Sequence, residues 1–404
     1  MPLLNKVRTA APGGPGSHTA APTLFRLRSA LTMFFALDGF LFAGWVVRIP
    51  AIKQQTGASA GELGLALLGV SGGAVVTMVF TGRLCRRYGS HPVTVACGGL
   101  MALAIALPPQ THSALTLGLV LLVFGAAYGG VNVAMNSAAV DLVAALRRPV
   151  MPSFHAAFSL GGMVGAGVGA LVAGDLSPTA HLLALTGVGL VVTALAGWVL
   201  LLHPAPVHAS TPHAQGKRLD GRARRLVLLF GVIALCTAYG EGAMADWGAL
   251  HLEQDLGAAP GIAAVGYSLF ALAMTAGRLS GTALLERLGQ TRTLVAGGLT
   301  ACAGMLLGAL APHVWLALAG FAVMGLGLAN IFPVAVARAG ALAGPGGVAA
   351  ASTLGYGGML LGPPAIGLLA EWASLPIALT TVAALAAGAA LIGYAARHAT
   401  AAQA

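Results

Sequence analysis

Charge is what this sequence has least of. Asp, Glu, Lys and Arg make up 8% of its 404 residues, against about a quarter in an ordinary soluble domain. Polar surface on that scale cannot cover a globule of this size, which excludes a soluble enzyme and a disordered chain. Cysteine is almost as scarce. Cys85, Cys97, Cys236 and Cys302 show no CxxC spacing and fall in or beside apolar runs, so neither a disulfide scaffold nor a zinc site is expected. No GxxxxGK[ST] or HExxH string occurs, which removes the usual signatures of ATP hydrolysis and zinc proteolysis. No cofactor or metal is expected. The net charge of +10 does not indicate a nucleic-acid partner, because the basic residues are scattered through short loops and form no single face.

What is present is apolar length. Hydrophobic residues make up 57% of the chain, and its mean hydropathy is +0.87. Runs long enough to cross a bilayer fall at about 29–48, 62–82, 92–109, 113–137, 152–174, 180–202, 225–247, 261–283, 292–310, 313–336, 347–369 and 374–396. The expected fold is therefore an all-α integral membrane protein of 12 transmembrane helices, with the lipid bilayer as its first partner. Residues 1–28 read as a polar cytoplasmic tail with no apolar core of a cleaved signal. Residues 203–224, rich in Pro, Gly and basic side chains, read as a cytoplasmic linker between two six-helix halves, 29–202 and 225–398, with 399–404 as a short tail. His203, His208 and His213 lie in that linker and are expected to be solvated.

Lys and Arg then set the orientation. With twelve spans and a cytoplasmic N-terminus, 19 of the 21 basic residues fall on the inner side, Arg278 counted among them, and only Arg48 and Lys53 lie outside. This is the asymmetry expected of a multi-pass cell-membrane protein with both termini inside.

The halves repeat at an offset of about 200 residues. Asp38-Gly39 pairs with Glu241-Gly242, Trp45 with Trp247, and Arg87-Tyr88-Gly89 with Arg287-Leu288-Gly289. Asn132 pairs with Asn330, and the stretch Ser159–Met163 with Gly355–Met359. Parallel six-helix repeats are a signature of secondary transporters that bind solute at the midplane between halves.

The segment Gly82-Arg83-Leu84-Cys85-Arg86-Arg87-Tyr88-Gly89-Ser90-His91 resembles the major facilitator superfamily pattern G-x-L-x-D-R-x-G-R-R. Gly82, Leu84, Arg87 and Gly89 fit. Arg86 replaces the Asp, and Ser90 and His91 replace the closing basic pair. Residues 45–53, 154–162 and 241–247 resemble the fucose-permease-like branch, its bacterial YbjJ-type group in particular. The resemblance covers about 29–398. It implies two halves around a central cavity, alternating access, and an acidic residue in span one that carries a proton.

Three carboxylates sit well inside spans: Asp38, Glu241 and Asp246. An ionisable group in hydrocarbon costs about 2.5–3.5 kcal/mol even on insertion scales, so each is a candidate proton-coupling site. Each could equally fasten helices together. Asn132 and Asn136, one turn apart, with Asn330 and Tyr239, are candidate substrate-binding residues. Arg48 is a candidate outer-gate partner of Asp246, or else a snorkelling cation. Gly82, Arg87 and Gly89 are assigned to gating, and His155 to a structural hydrogen bond. The expected function is a proton-coupled transporter of a sugar-like or other small polar solute, working as a monomer. The alternatives are a proton antiporter exporting a drug-like molecule, and a non-transporting membrane sensor.

Overall fold

The computed structural model describes residues 21–58, 60–172, 175–206 and 220–397. The expected terminal tails up to residue 20 and beyond 397, most of the linker, and Lys6, Arg8, His208, His213, Lys217 and Arg218 lie outside the described residues. The described residues form helices α1 (Ala21–Val46), α2 (Ile49–Thr56), α3 (Ala60–Tyr88), α4 (Ser90–Ala104), α5 (Ala114–Leu146), α6 (Met151–Leu171) and α7 (Pro178–Leu202). After the linker come α8 (Gly221–Gln254), α9 (Pro260–Ala309), α10 (Val314–Leu328), α11 (Ile331–Trp372) and α12 (Leu375–Ala395). The first helix begins at Ala21, about two turns earlier than the apolar run alone suggested.

Nine helical stretches among the described residues are long and apolar enough to cross a membrane. Two of them, Val265–Ala309 with 45 residues and Val314–Trp372 with 59, far exceed the roughly 20 residues that a bilayer needs. Each is broken. Non-helical angles fall at Gly289 in α9 and at Ala343 and Gly344 in α11. With those breaks and the 21-residue α6, the helices accommodate twelve crossings.

The breaks also carry the repeat. Left-handed backbone occurs at Gly57, Gly89 and Arg147 in the first half, and at Gly257, Gly289 and Gly344 in the second, about 200 residues on in each case. A φ of 89° at Gly89 and 76° at Gly289 turns the chain sharply between consecutive spans, a conformation that glycine adopts without steric cost. Helix starts repeat too. Ser177 caps α7 and Ser374 caps α12 through the same N-cap hydrogen bond, to Ala180 and Ile377. Ser113 opens α5, and His313 does the same work at α10 with its ring Nδ1.

Within the halves, small residues bring backbones together, as expected where lipid removes the hydrophobic drive for helix association. A Cβ at Gly161 would fall on the Ala36 carbonyl, and one at Gly165 on that of Phe40, so α6 lies flush against α1. In the second half, a Cβ at Gly358 would fall on the Leu235 carbonyl, which sets α11 flush against α8. These two pairs flank the positions of Asp38 and Glu241.

The halves meet toward the linker-side ends of their helices. Gly82 of α3 lies against the Pro345 carbonyl, and Gly340 against Val140. Arg148 pairs with Glu286 at 2.8 Å across the same face. On the opposite face, Gln55 donates to the carbonyls of Pro109 and Thr111 within the first half. His251 bonds Asp255 and the Gly308 carbonyl within the second.

Candidate functional site

The centre of the molecule holds the polar groups that the apolar sequence contains in such small supply. Asp38, midway along α1, is 2% exposed, and neither carboxylate oxygen has a hydrogen-bond partner. One turn further along α1, Phe42 stacks on Tyr128 of α5 at 4.9 Å. Tyr128 meets Tyr356 of α11 edge-on at 6.0 Å, which joins the first half to the second. Both tyrosines lie within electrostatic reach of Asp38 and Glu241.

Glu241 occupies the repeat position of Asp38 but has a different environment. Its side chain is 24% exposed, and its Oε1 lies 3.4 Å from Nη2 of Arg278. Arg278, on the first arm of α9, is 7% exposed. Its Nη1 donates to Ser159 Oγ at 2.7 Å and its Nε to the Ala329 carbonyl at 3.3 Å. Ser159 belongs to α6 of the first half. One guanidinium therefore ties three helices and both halves together.

This corrects the charge count of the sequence. Loop counting groups Arg278 with the residues that set orientation. The structure buries it inside the span, beside a carboxylate. It is the functional candidate that sequence reasoning missed. The signal was available: Arg278 lies inside the apolar run 261–283, and a basic residue there needs a partner.

The asparagines form a second cluster. Asn136 Nδ2 donates to the Asn132 carbonyl at 2.8 Å, and its Oδ1 meets His155 Nε2 at 3.3 Å. The His155 ring packs edge-on against Phe35 and, across the interface, Phe332. Asn136 is thereby committed to its own half, whereas Asn132 Oδ1 has no partner and is buried. Asn330 Nδ2 donates to the Gly277 carbonyl at 2.9 Å, one residue before Arg278, and its Oδ1 is likewise unpartnered. Tyr239 shares a hydrogen bond of 2.9 Å with Thr381 of α12, so its hydroxyl is held inside the second half.

The remaining assignments spread outward. Arg48 is 3% exposed and donates to His181 Nδ1 at 2.9 Å and to the Val172 carbonyl at 3.2 Å, both in its own half. Asp246 is exposed, near the far end of α8. Arg87 lies over the Tyr88 ring at 5.3 Å, next to the turn at Gly89. Among the described residues, no group of three His, Cys, Asp or Glu side chains is arranged to hold a metal ion.

Two helical halves with a buried carboxyl and an arginine–glutamate pair at their shared centre have the arrangement of a membrane transporter. The comparisons give the family. The sequence profile of the Major Facilitator Superfamily matches residues 29–245 and 230–403, so the chain belongs to that superfamily. It is 35% identical over 359 residues to an uncharacterized MFS-type transporter of Yersinia pestis, covering 87% of this chain and 91% of the relative. It is 28% identical over 381 residues to the membrane protein MosC of Rhizobium meliloti, covering 92% and 90%. The fold is similar to that of the MFS transporter FucP in its outward conformation, with a TM-score of 0.76 at 16% identity over 93% of this chain and 99% of the other. It is also similar to that of the proton:xylose symporter XylE, with a TM-score of 0.74 at 13% identity over 93% and 96%.

Proposed function

We propose that this transporter moves a small polar solute by alternating access and couples that movement to protons at Asp38. The unpartnered, buried carboxyl of Asp38 carries the reading. A carboxylate with neither cation nor donor is costly in such surroundings, whereas the protonated acid is tolerated. Opening the centre to water on either side reverses that preference, so the group loads and releases a proton as access alternates. The fucose:proton and proton:xylose symporters among the structural neighbours support this reading by likeness of fold. The free amide oxygens of Asn132 and Asn330, one from each half at equivalent repeat positions, support a hydroxylated solute. Both are acceptors, and both are buried.

The test uses purified protein in sealed liposomes loaded with a pH-sensitive dye, at zero membrane potential. Sugars and polyols are added in turn, followed by apolar antibiotics. Inward proton movement with one hydroxylated solute, lost in Asp38→Asn, is the expected result. Proton movement opposite to an apolar solute would replace symport by export. Solute flux that carries no protons would remove Asp38 from its role.

A further inference from the structure

We infer that Arg278 is a positioning residue that holds the transporter closed on its linker side through Ser159, and that this bond is remade in each transport cycle. The inference rests on the alternating-access reading above and adds a residue and a contact to it.

Three observations carry it. Arg278 is the buried cation at the centre, and its three contacts do not belong to one body. Glu241 and Ala329 lie in its own half, whereas Ser159 lies in the other. The shortest of the three, 2.7 Å, is the one that crosses. The other central contacts between halves are neutral: Tyr128 meets Tyr356 edge-on and through a side-chain hydrogen bond, and His155 packs edge-on against Phe332. A rigid-body movement of one half against the other breaks the Arg278–Ser159 bond and leaves the Glu241 and Ala329 bonds intact.

The chemistry of the pair suits such an exchange. A guanidinium stays charged through the cycle and presents five N–H groups in a planar fork. Glu241 keeps it neutralised when Ser159 departs, so no unpaired charge is stranded in the interior. Serine is a neutral partner, so the bond is a charge-assisted hydrogen bond, stronger than a neutral interhelical bond but without the opposite charge of an ion pair. The bond is therefore strong enough to bias the equilibrium and weak enough to break. An ion pair across the halves at this depth would lock them instead.

The experiment reads conformation directly and needs no solute. Spin labels are placed at His112 and Pro312, exposed repeat-equivalent positions on the face opposite the linker, one in each half. The four native cysteines are replaced, and the protein is kept in lipid nanodiscs. Electron–electron distances are compared for the parent, Ser159→Ala, Ser159→Thr and Arg278→Lys. Ser159→Ala is expected to lower the ratio of wide to narrow separations by about tenfold or more. Ser159→Thr, which keeps the hydroxyl, is expected to restore the ratio, and Arg278→Lys, which keeps the charge but not the fork, to lower it. A parent that samples two separations alongside an unchanged Ser159→Ala distribution would overturn the latch and leave alternating access standing. A parent with one separation in both acidic and alkaline buffer would overturn both.

Discussion

Asp38 and Glu241 occupy the same place in two copies of one six-helix unit, yet the two halves use the place differently. In the first half, α6 packs flush on α1 and the carboxyl has no partner at all. In the second, α11 packs flush on α8 in the same manner, but α9 supplies Arg278 and the carboxyl becomes half of an ion pair. The residue equivalent to Arg278 in the first half, about 200 positions earlier, is Met78, which is buried and apolar. One difference on one helix thus gives the two carboxyls different surroundings. A carboxyl without a cation is suited to exchanging a proton, whereas one fixed to a guanidinium is suited to holding geometry.

The sharpest way to break this comparison is to neutralise each carboxyl in turn. Asp38→Asn is expected to abolish accumulation driven by a pH gradient, a loss of about a hundredfold or more, while solute exchange at equal pH survives. Glu241→Gln is expected to damage both activities together, because it strands Arg278 without its counter-charge. Removing one member of a buried pair costs about 3–5 kcal/mol, and the partial exposure of Glu241 places the expected loss of thermal stability at the low end. Counterflow set beside gradient-driven uptake in the same vesicles checks both. If Glu241→Gln uncouples and Asp38→Asn does not, the two roles are exchanged. The double variant Glu241→Gln with Arg278→Gln removes both charges and is expected to recover part of the stability lost in the single one.

Packing around the two carboxyls offers a second comparison, with a smaller effect. Gly161→Ala and Gly358→Ala each place a methyl group on a neighbouring carbonyl, at Ala36 and Leu235. Overpacking of this kind costs about 1–3 kcal/mol. Both should lower the melting temperature in detergent, by similar amounts if the repeat is as regular as its geometry. A fall confined to Gly161→Ala would show that the first half alone depends on close approach.

Much of the fold was legible in the sequence because the membrane restricts the options. Apolar runs of spanning length, a basic linker and an offset of about 200 residues between matching motifs define two helical halves, and Gly89 and Gly289 turn out to break the chain at equivalent points. Asp38 was legible too, since a carboxyl inside an apolar run announces itself. Arg278 is passed over when loop charges are counted, although its place inside the run 261–283 signals a buried partner, and the packing of α9 on α6 and α8 shows which partner that is. The partners of Tyr239 and Arg48 were hidden for a related reason. Thr381 lies 142 residues from Tyr239 and His181 lies 133 from Arg48, and no periodicity links residues so far apart.

The smallest expected effect lies at the surface, in the ion pair between Arg148 and Glu286. It crosses the halves on the same side as the Arg278 bond and is shorter than the Arg278–Glu241 contact, at 2.8 Å. Distance alone would rank it above the Arg278–Glu241 contact and level with the Arg278–Ser159 bond at 2.7 Å. Exposure reverses the ranking, because the two side chains are 57% and 38% accessible. Exposed pairs contribute about 0–1 kcal/mol and are screened by salt. Arg148→Ala should therefore shift the balance between wide and narrow separations of the His112 and Pro312 labels by no more than about fivefold at low salt. High salt should abolish the difference from the parent. The Ser159→Ala shift should persist in the same high-salt buffer, since its bond is buried and one partner is uncharged. Equal salt sensitivity in the two variants would mean that water reaches Arg278 in the closed state, and the contrast between a buried latch and a surface clasp would then fail.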